Sequence, residues 1–177
     1  VDAYQAGDLE AARKQLEEAV VVGPGMVQPH VLLAAICGQL GDLECADREL
    51  EATFALEPDN ALAVRLAYEI AIVRNQAEVE LAMAEKLVVV DPGYAGEKLF
   101  TRGVAHYDAN RFDQAIQMMQ FVLQIRPDDP EALFILGMAS FNKGDTEAAR
   151  VHLERFIELA PDDPDAAIAK ELLSYGQ

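Results

Sequence analysis

A chain of 177 residues, 51% of them hydrophobic, can bury a sizeable core, and the absence of Trp with modest Gly and Pro excludes fibrous and disordered classes. A formal net charge of -17 disfavours phosphate backbones and anionic lipid as partners, and favours basic or amphipathic protein segments. No apolar run reaches the roughly 18 residues a membrane-spanning helix needs, so direct membrane insertion is not expected.

The chain is periodic. Pro24, Pro58, Pro92, Pro127 and Pro161 are separated by 34, 34, 35 and 34 residues, and Gly7, Gly41, Asn75, Asn110 and Gly144 repeat the same four spacings. Two independent markers in one period imply a repeat array rather than a single globular core, and an array counts as one elongated domain.

Taken in order, residues 1–26 form a partial first repeat, followed by full repeats at 27–60, 61–95, 96–129 and 130–163 and a capping helix at 164–175. Each repeat reads as two helices. The first ends at the Gly or Asn marker, the residue types that tolerate the left-handed conformation closing a helix. Asp8, Asp42 and Asp145 follow the glycines and can cap the next helix. The second helix ends before a proline, which disfavours helical geometry in its predecessor. The one extra residue is placed in the Gly93-Tyr94-Ala95-Gly96 linker. Val1 falls in mid-helix, so the chain is expected to be a fragment of a longer one. No signal peptide is visible, and the compartment stays open, with cytoplasmic placement favoured over periplasmic or other envelope settings.

Helices of about 14 residues are marginal alone in water and need a packed face. Small residues sit where helices must approach: Ala34, Gly103 and Gly137 on first helices, and Ala12, Ala46, Ala115 and Ala149 on second ones. Leu33, Leu99, Leu133, Leu136, Leu16, Leu50, Met119 and Leu153 fill around them, with Val22, Leu56, Val90, Ile125 and Leu159 before each turn. In the last helix, Ile168 and Leu172 are expected on the covering stripe, with Ala169 and Tyr175 beside them.

These residues resemble the tetratricopeptide repeat family over essentially the whole chain. The family pattern of Leu-Gly, then Ala, then Pro in 34 residues is met by Leu136-Gly137, Ala149 and Pro161, by Gly103, Ala115 and Pro127, and by Leu33-Ala34, Ala46 and Pro58. Repeat three departs from it, with Glu80 where the small residue belongs; a slip by one would use Leu66-Ala67 instead. The resemblance implies an all-α, right-handed solenoid whose first helices line a concave groove, and it implies an interaction module.

Nothing in the pattern points to catalysis. His30, His106 and His152 fall one per repeat and read as packed or surface histidines, with no metal-ligand spacing. There is no Gly-rich phosphate loop and no nucleophile elbow. Asp128-Asp129 and Asp162-Asp163 read as caps and solvated charge. Cys37 and Cys45, on the two helices of one repeat, read as a buried thiol pair. No enzyme activity, metal or cofactor is expected.

Mapping the family's groove positions gives Val31, Ala35, Arg65, Glu69 and Ile72 in the N-terminal part, and Phe100, Val104, Tyr107, Phe134, Ile135, Met138 and Phe141 in the C-terminal part. Some family members grip a chaperone's terminal carboxylate with a cationic clamp, but the matching positions here include Val31, Ala35, Glu97 and Thr101 and offer no such set. The C-terminal groove is instead apolar and aromatic with acids around it, which suits an amphipathic helix or extended apolar segment carrying basic residues. On this reading Tyr107→Ala with Phe134→Ala removes partner capture. The alternatives are a structural spacer, a domain self-associating through the N-terminal end (Val1, Tyr4, Val20, Val21), and an accessory domain of an enzyme or secretion machine.

Overall fold

The computed structural model describes residues 8–175, which among themselves form ten α-helices. They are α1 Leu9–Val22, α2 Val27–Leu40, α3 Leu43–Leu56, α4 Ala61–Val73, α5 Ala77–Val90, α6 Pro92–Asp108, α7 Phe112–Ile125, α8 Pro130–Asn142, α9 Thr146–Leu159 and α10 Asp165–Tyr175. The fold is an all-α solenoid of helix–turn–helix repeats. It divides into two compact units, residues 1–90 and 91–177, each with its own core.

The repeat markers do what their residue types allow. Gly41, Asn75, Asn110 and Gly144 take φ of 77°, 55°, 57° and 84°. After each, the next amide reaches back to close the helix: Asp42 N to Cys37 O at 2.9 Å, Gln76 N to Ala71 O at 2.9 Å, Arg111 N to His106 O at 2.8 Å and Asp145 N to Ser140 O at 3.0 Å. Six helix starts share one cap. Asp8, Asp42, Asn60, Asp91, Asp129 and Asp145 each accept from the backbone amide three residues on, at 3.0–3.2 Å. Each cap contributes about 1 kcal/mol.

The small residues are fully enclosed: Ala34, Ala46 and Ala115 at 0% exposure and Ala149 at 2%. Around them the N-terminal unit packs Leu33, Val31, Leu50 and Val64, and the C-terminal unit packs Leu99, Met119, Leu136 and Leu153.

Repeat three keeps its register without the slip. Counting back from Gly137 and Gly103, Tyr68 holds the small first-helix position, as Glu80 holds the second. Both are buried, while Leu66 and Ala67 are only partly so. A large side chain has replaced a small one inside an unchanged frame, which the positive φ at Asn75 fixes.

Three further expectations are corrected. The Gly93–Gly96 stretch is not a linker: Asp91 caps Tyr94, Pro92 takes the first turn, and α6 runs for 17 residues across the expected boundary at 95/96. Residues 57–60 and 126–129 separate the helices elsewhere, whereas Asp91 alone lies between α5 and α6. Val22 and Leu56 are not core, at 85% and 43% exposure; each ends its helix and has helical neighbours on one side only. In α10 the covering stripe is Ala166 and Ala169 with Leu172 and Leu173, packed on Leu153 and Phe156, and Ile168 points outward. Two alanines let the helix approach closely, which a stripe through Ile168 would not.

Cys37 and Cys45 form a disulfide, not a thiol pair. Cys37 is one turn before Gly41 and Cys45 one turn after it, so the tight turn brings their Cα atoms within 5.8 Å. Reduction, or Cys37→Ser with Cys45→Ser, is expected to destabilise the N-terminal unit by about 2–3 kcal/mol through its short closed loop. Thermal melts with and without reductant check this; an unchanged melt removes the disulfide from the stability of the fold.

Candidate functional site

Among the described residues, first helices line several recesses, and the most voluminous one described in each unit is open and holds expected groove residues. In the N-terminal unit, α2, α3 and α4 enclose about 470 Å³ lined by Ala35, Gln39, Leu43, Leu66, Glu69 and Val73. The recess exists because Gly38 and Ala35 on α2 leave no bulk opposite Leu66. In the C-terminal unit, α6, α8 and α9 enclose about 270 Å³ over Phe100, Phe134, Ile135 and Phe156, with Glu131, Asp163 and Asp165 also on its wall. Pro130 at the start of α8 and the α9–α10 turn bring those carboxylates to the rim.

The structure brings together only part of the expected groove. Phe100, Phe134 and Ile135 share one recess, and Ala35 and Glu69 share the other. Val31 is core at 1% exposure, packed with Leu33, Cys37 and Leu50, and is out of a ligand's reach. Phe141 lines a small cavity with Leu153, Leu172 and Leu173, beside the last helix. Met138 packs against that same core. Tyr107 stands 5.8 Å from the Phe112 ring, and its hydroxyl accepts from Asn142 Nδ2 at 3.3 Å. Arg65, Ile72 and Val104 are half-buried and line neither recess. Of the residues expected at a self-associating end, Val1 and Tyr4 lie outside the described residues, Val20 packs on the core and Val21 is exposed.

Sequence reasoning missed Phe156, Asp163 and Asp165. The groove positions come from first helices, whereas these lie on α9 and the turn after it. Phe156 is 2% exposed, and its ring sits 5.0 Å from that of Phe134. The doublet Asp162-Asp163 was the available signal. Asp163 does cap, accepting from Asp165 N at 2.9 Å, yet it also faces the recess.

The titratable groups elsewhere are structural. His30 is buried, with Nδ1 2.8 Å from Glu49 Oε2 and Nε2 3.1 Å from the Pro24 carbonyl. Desolvation holds His152 below its usual pKa, against a weaker opposing pull from Asp145. Asp42 is held below the usual carboxylate range, first by the Cys45 amide it caps and then by Arg13 at 2.9 Å. Cys37, Asp42 and Cys45 converge as metal ligands would. However, each sulfur is bonded to the other, and the Asp42 oxygens serve the cap and the ion pair.

A family model described as Tetratricopeptide repeat matches residues 104–174. No curated protein sequence matches the chain. Among solved structures, MamA from Desulfovibrio magneticus RS-1 is 20% identical with a TM-score of 0.60, over 92% of this chain and 92% of that one. YrrB, described as a TPR protein with an unusual peptide-binding site, is 20% identical with a TM-score of 0.53, over 91% of this chain and 83% of its own. PilW, a type IV pilus biogenesis factor, is 15% identical with a TM-score of 0.55, over 98% and 85%. Identities this low carry the fold alone. Together with the internal 34-residue period, its caps and its helix-closing residues, they show a tetratricopeptide-repeat fold, with the family model itself matching the C-terminal part of the chain.

Proposed function

We propose that this protein is a non-catalytic interaction module that binds an amphipathic helix or extended apolar segment of a protein partner along its first-helix faces. The observation that carries the reading is the recess over Phe100, Phe134 and Ile135, where expected groove residues from α6 and α8 converge on one concavity with an apolar floor. The peptide-binding site in the description of YrrB supports the same use of this fold. The net charge of -17 favours basic residues in the bound segment. The buried Cys37–Cys45 disulfide suits an oxidising compartment and argues against the cytoplasmic placement.

Affinity capture tests this with Phe100→Ala plus Ile135→Ala. Phe134 is left in place because its contact with Phe156 supports the core. Proteins retained by the wild-type chain are expected to be lost from the variant, with circular dichroism unchanged. Equal retention by a folded variant would overturn the reading.

A further inference from the structure

We propose that the C-terminal recess is a receptor for a single arginine side chain presented by the bound segment. The inference rests on the interaction-module reading and names the residue that reading leaves open. The floor is aromatic: Phe100 and Phe134 are half-buried, and Phe156 lies beneath them. Three carboxylates, Glu131, Asp163 and Asp165, stand on the wall of the same concavity of about 270 Å³.

Elsewhere in this unit the acids near a cation are paired within the chain. Asp113 pairs with Lys143, Asp128 and Glu158 with Arg155, and Asp129 with Arg126. Among the described residues Glu131, Asp163 and Asp165 have no such partner. A pocket with an apolar base and uncompensated negative charge is complementary to a cation whose body is flat and weakly hydrated. Guanidinium meets both demands. It stacks on aromatic faces, and its fork of donors matches carboxylates in pairs. Lysine brings a compact, strongly hydrated charge that leaves the aromatic floor less well covered. The rim acids are at the surface, so the attraction supplies selectivity and is salt-sensitive.

The probe is an acetylated, amidated pentapeptide, Ala-Leu-Arg-Leu-Ala, titrated into the folded protein and followed by amide and aromatic NMR shifts. Matched peptides carry lysine or citrulline at the centre; citrulline keeps the shape and removes the charge. Shifts are expected at Phe100, Phe134 and Glu131. Binding is expected to weaken about tenfold with citrulline, less with lysine, and to fall as salt is raised. Glu131→Gln with Asp165→Asn is expected to bring the arginine peptide down to the citrulline level. Equal binding of arginine and citrulline peptides to wild-type protein would overturn the proposal, as would shifts mapping elsewhere or no binding. The citrulline arm needs no variant, so the test survives a variant that does not fold. Partner capture that is lost with Phe100→Ala plus Ile135→Ala but kept with the acid variants refutes the arginine receptor and leaves the groove reading standing.

Discussion

Replacing Gly137 by leucine is expected to destabilise the C-terminal unit by about 3 kcal/mol or more. Gly137 is buried on α8, where α9 crosses it. A Cβ alone at this position would stand 2.7 Å from both Cγ and Cδ2 of Leu153, and 3.4 Å from the Ala149 carbonyl oxygen. Leu153 is itself at 0% exposure, and the cavity beside it holds only about 20 Å³, less than a leucine side chain needs, so the helices must separate. Gly103 makes a useful contrast. A Cβ there would meet Met119 Cε at 2.7 Å, the far end of a flexible side chain, and Met118 Cβ at 3.1 Å. Methionine can turn aside, and alanine gains about 1 kcal/mol in helix propensity over glycine. Gly103→Ala is therefore expected to cost much less than Gly137→Ala, with Gly137→Leu the worst of the three. Thermal and urea unfolding followed by circular dichroism give the order. For Gly137→Leu, a fall of about 12–24 °C is expected in the transition of the C-terminal unit. A melt within a degree or two of wild type would mean that the helix pair is not held at this contact.

The helix frame was legible because backbone conformation restricts residue type. A left-handed residue must be Gly or Asn, and an amide three residues into a helix wants Asp or Asn before it. Both demands recur every repeat, so Gly41, Asn75, Asn110 and Gly144 announce the turns. Side-chain direction is less constrained by sequence. Val31 and Ala35 are four apart and share a helix face, yet Val31 falls under the neighbouring helices while Ala35 opens on the recess. Which of two adjacent rows is covered depends on how the next pair packs. Long-range composition of the site was also hidden: Phe100, Phe134 and Phe156 come from three helices, and one of those is a second helix. The disulfide, by contrast, was within reach. Positions one turn either side of a two-residue hairpin turn must face each other, and Cys37 and Cys45 are placed symmetrically about Gly41.

The second large effect lies in the N-terminal unit, at a carboxyl the fold has enclosed. Glu49 is 8% exposed on α3, and its Oε2 meets His30 Nδ1 at 2.8 Å. His30 Nε2 faces the Pro24 carbonyl at 3.1 Å, which can only accept. The imidazole therefore ties α2, α3 and the turn after α1 together, and it donates to Pro24 whatever the state of the carboxyl. Arg48 also approaches Glu49, at 3.5 Å, but its side chain is 67% exposed and its attraction is screened by water. His30→Ala is expected to destabilise by about 3–5 kcal/mol, because it strands a buried carboxyl and empties a packed site. Most of that loss is a penalty on the stranded partner and does not measure the strength of the pair. His30→Leu combined with Glu49→Leu removes the stranded group, so the double variant is expected to be markedly more stable than His30→Ala. Urea unfolding of the two variants beside wild type measures the difference. If His30→Ala costs under about 1 kcal/mol, or the double variant is no better than the single, Glu49 is satisfied by Arg48 and solvent, and the histidine is not the tie between these helices.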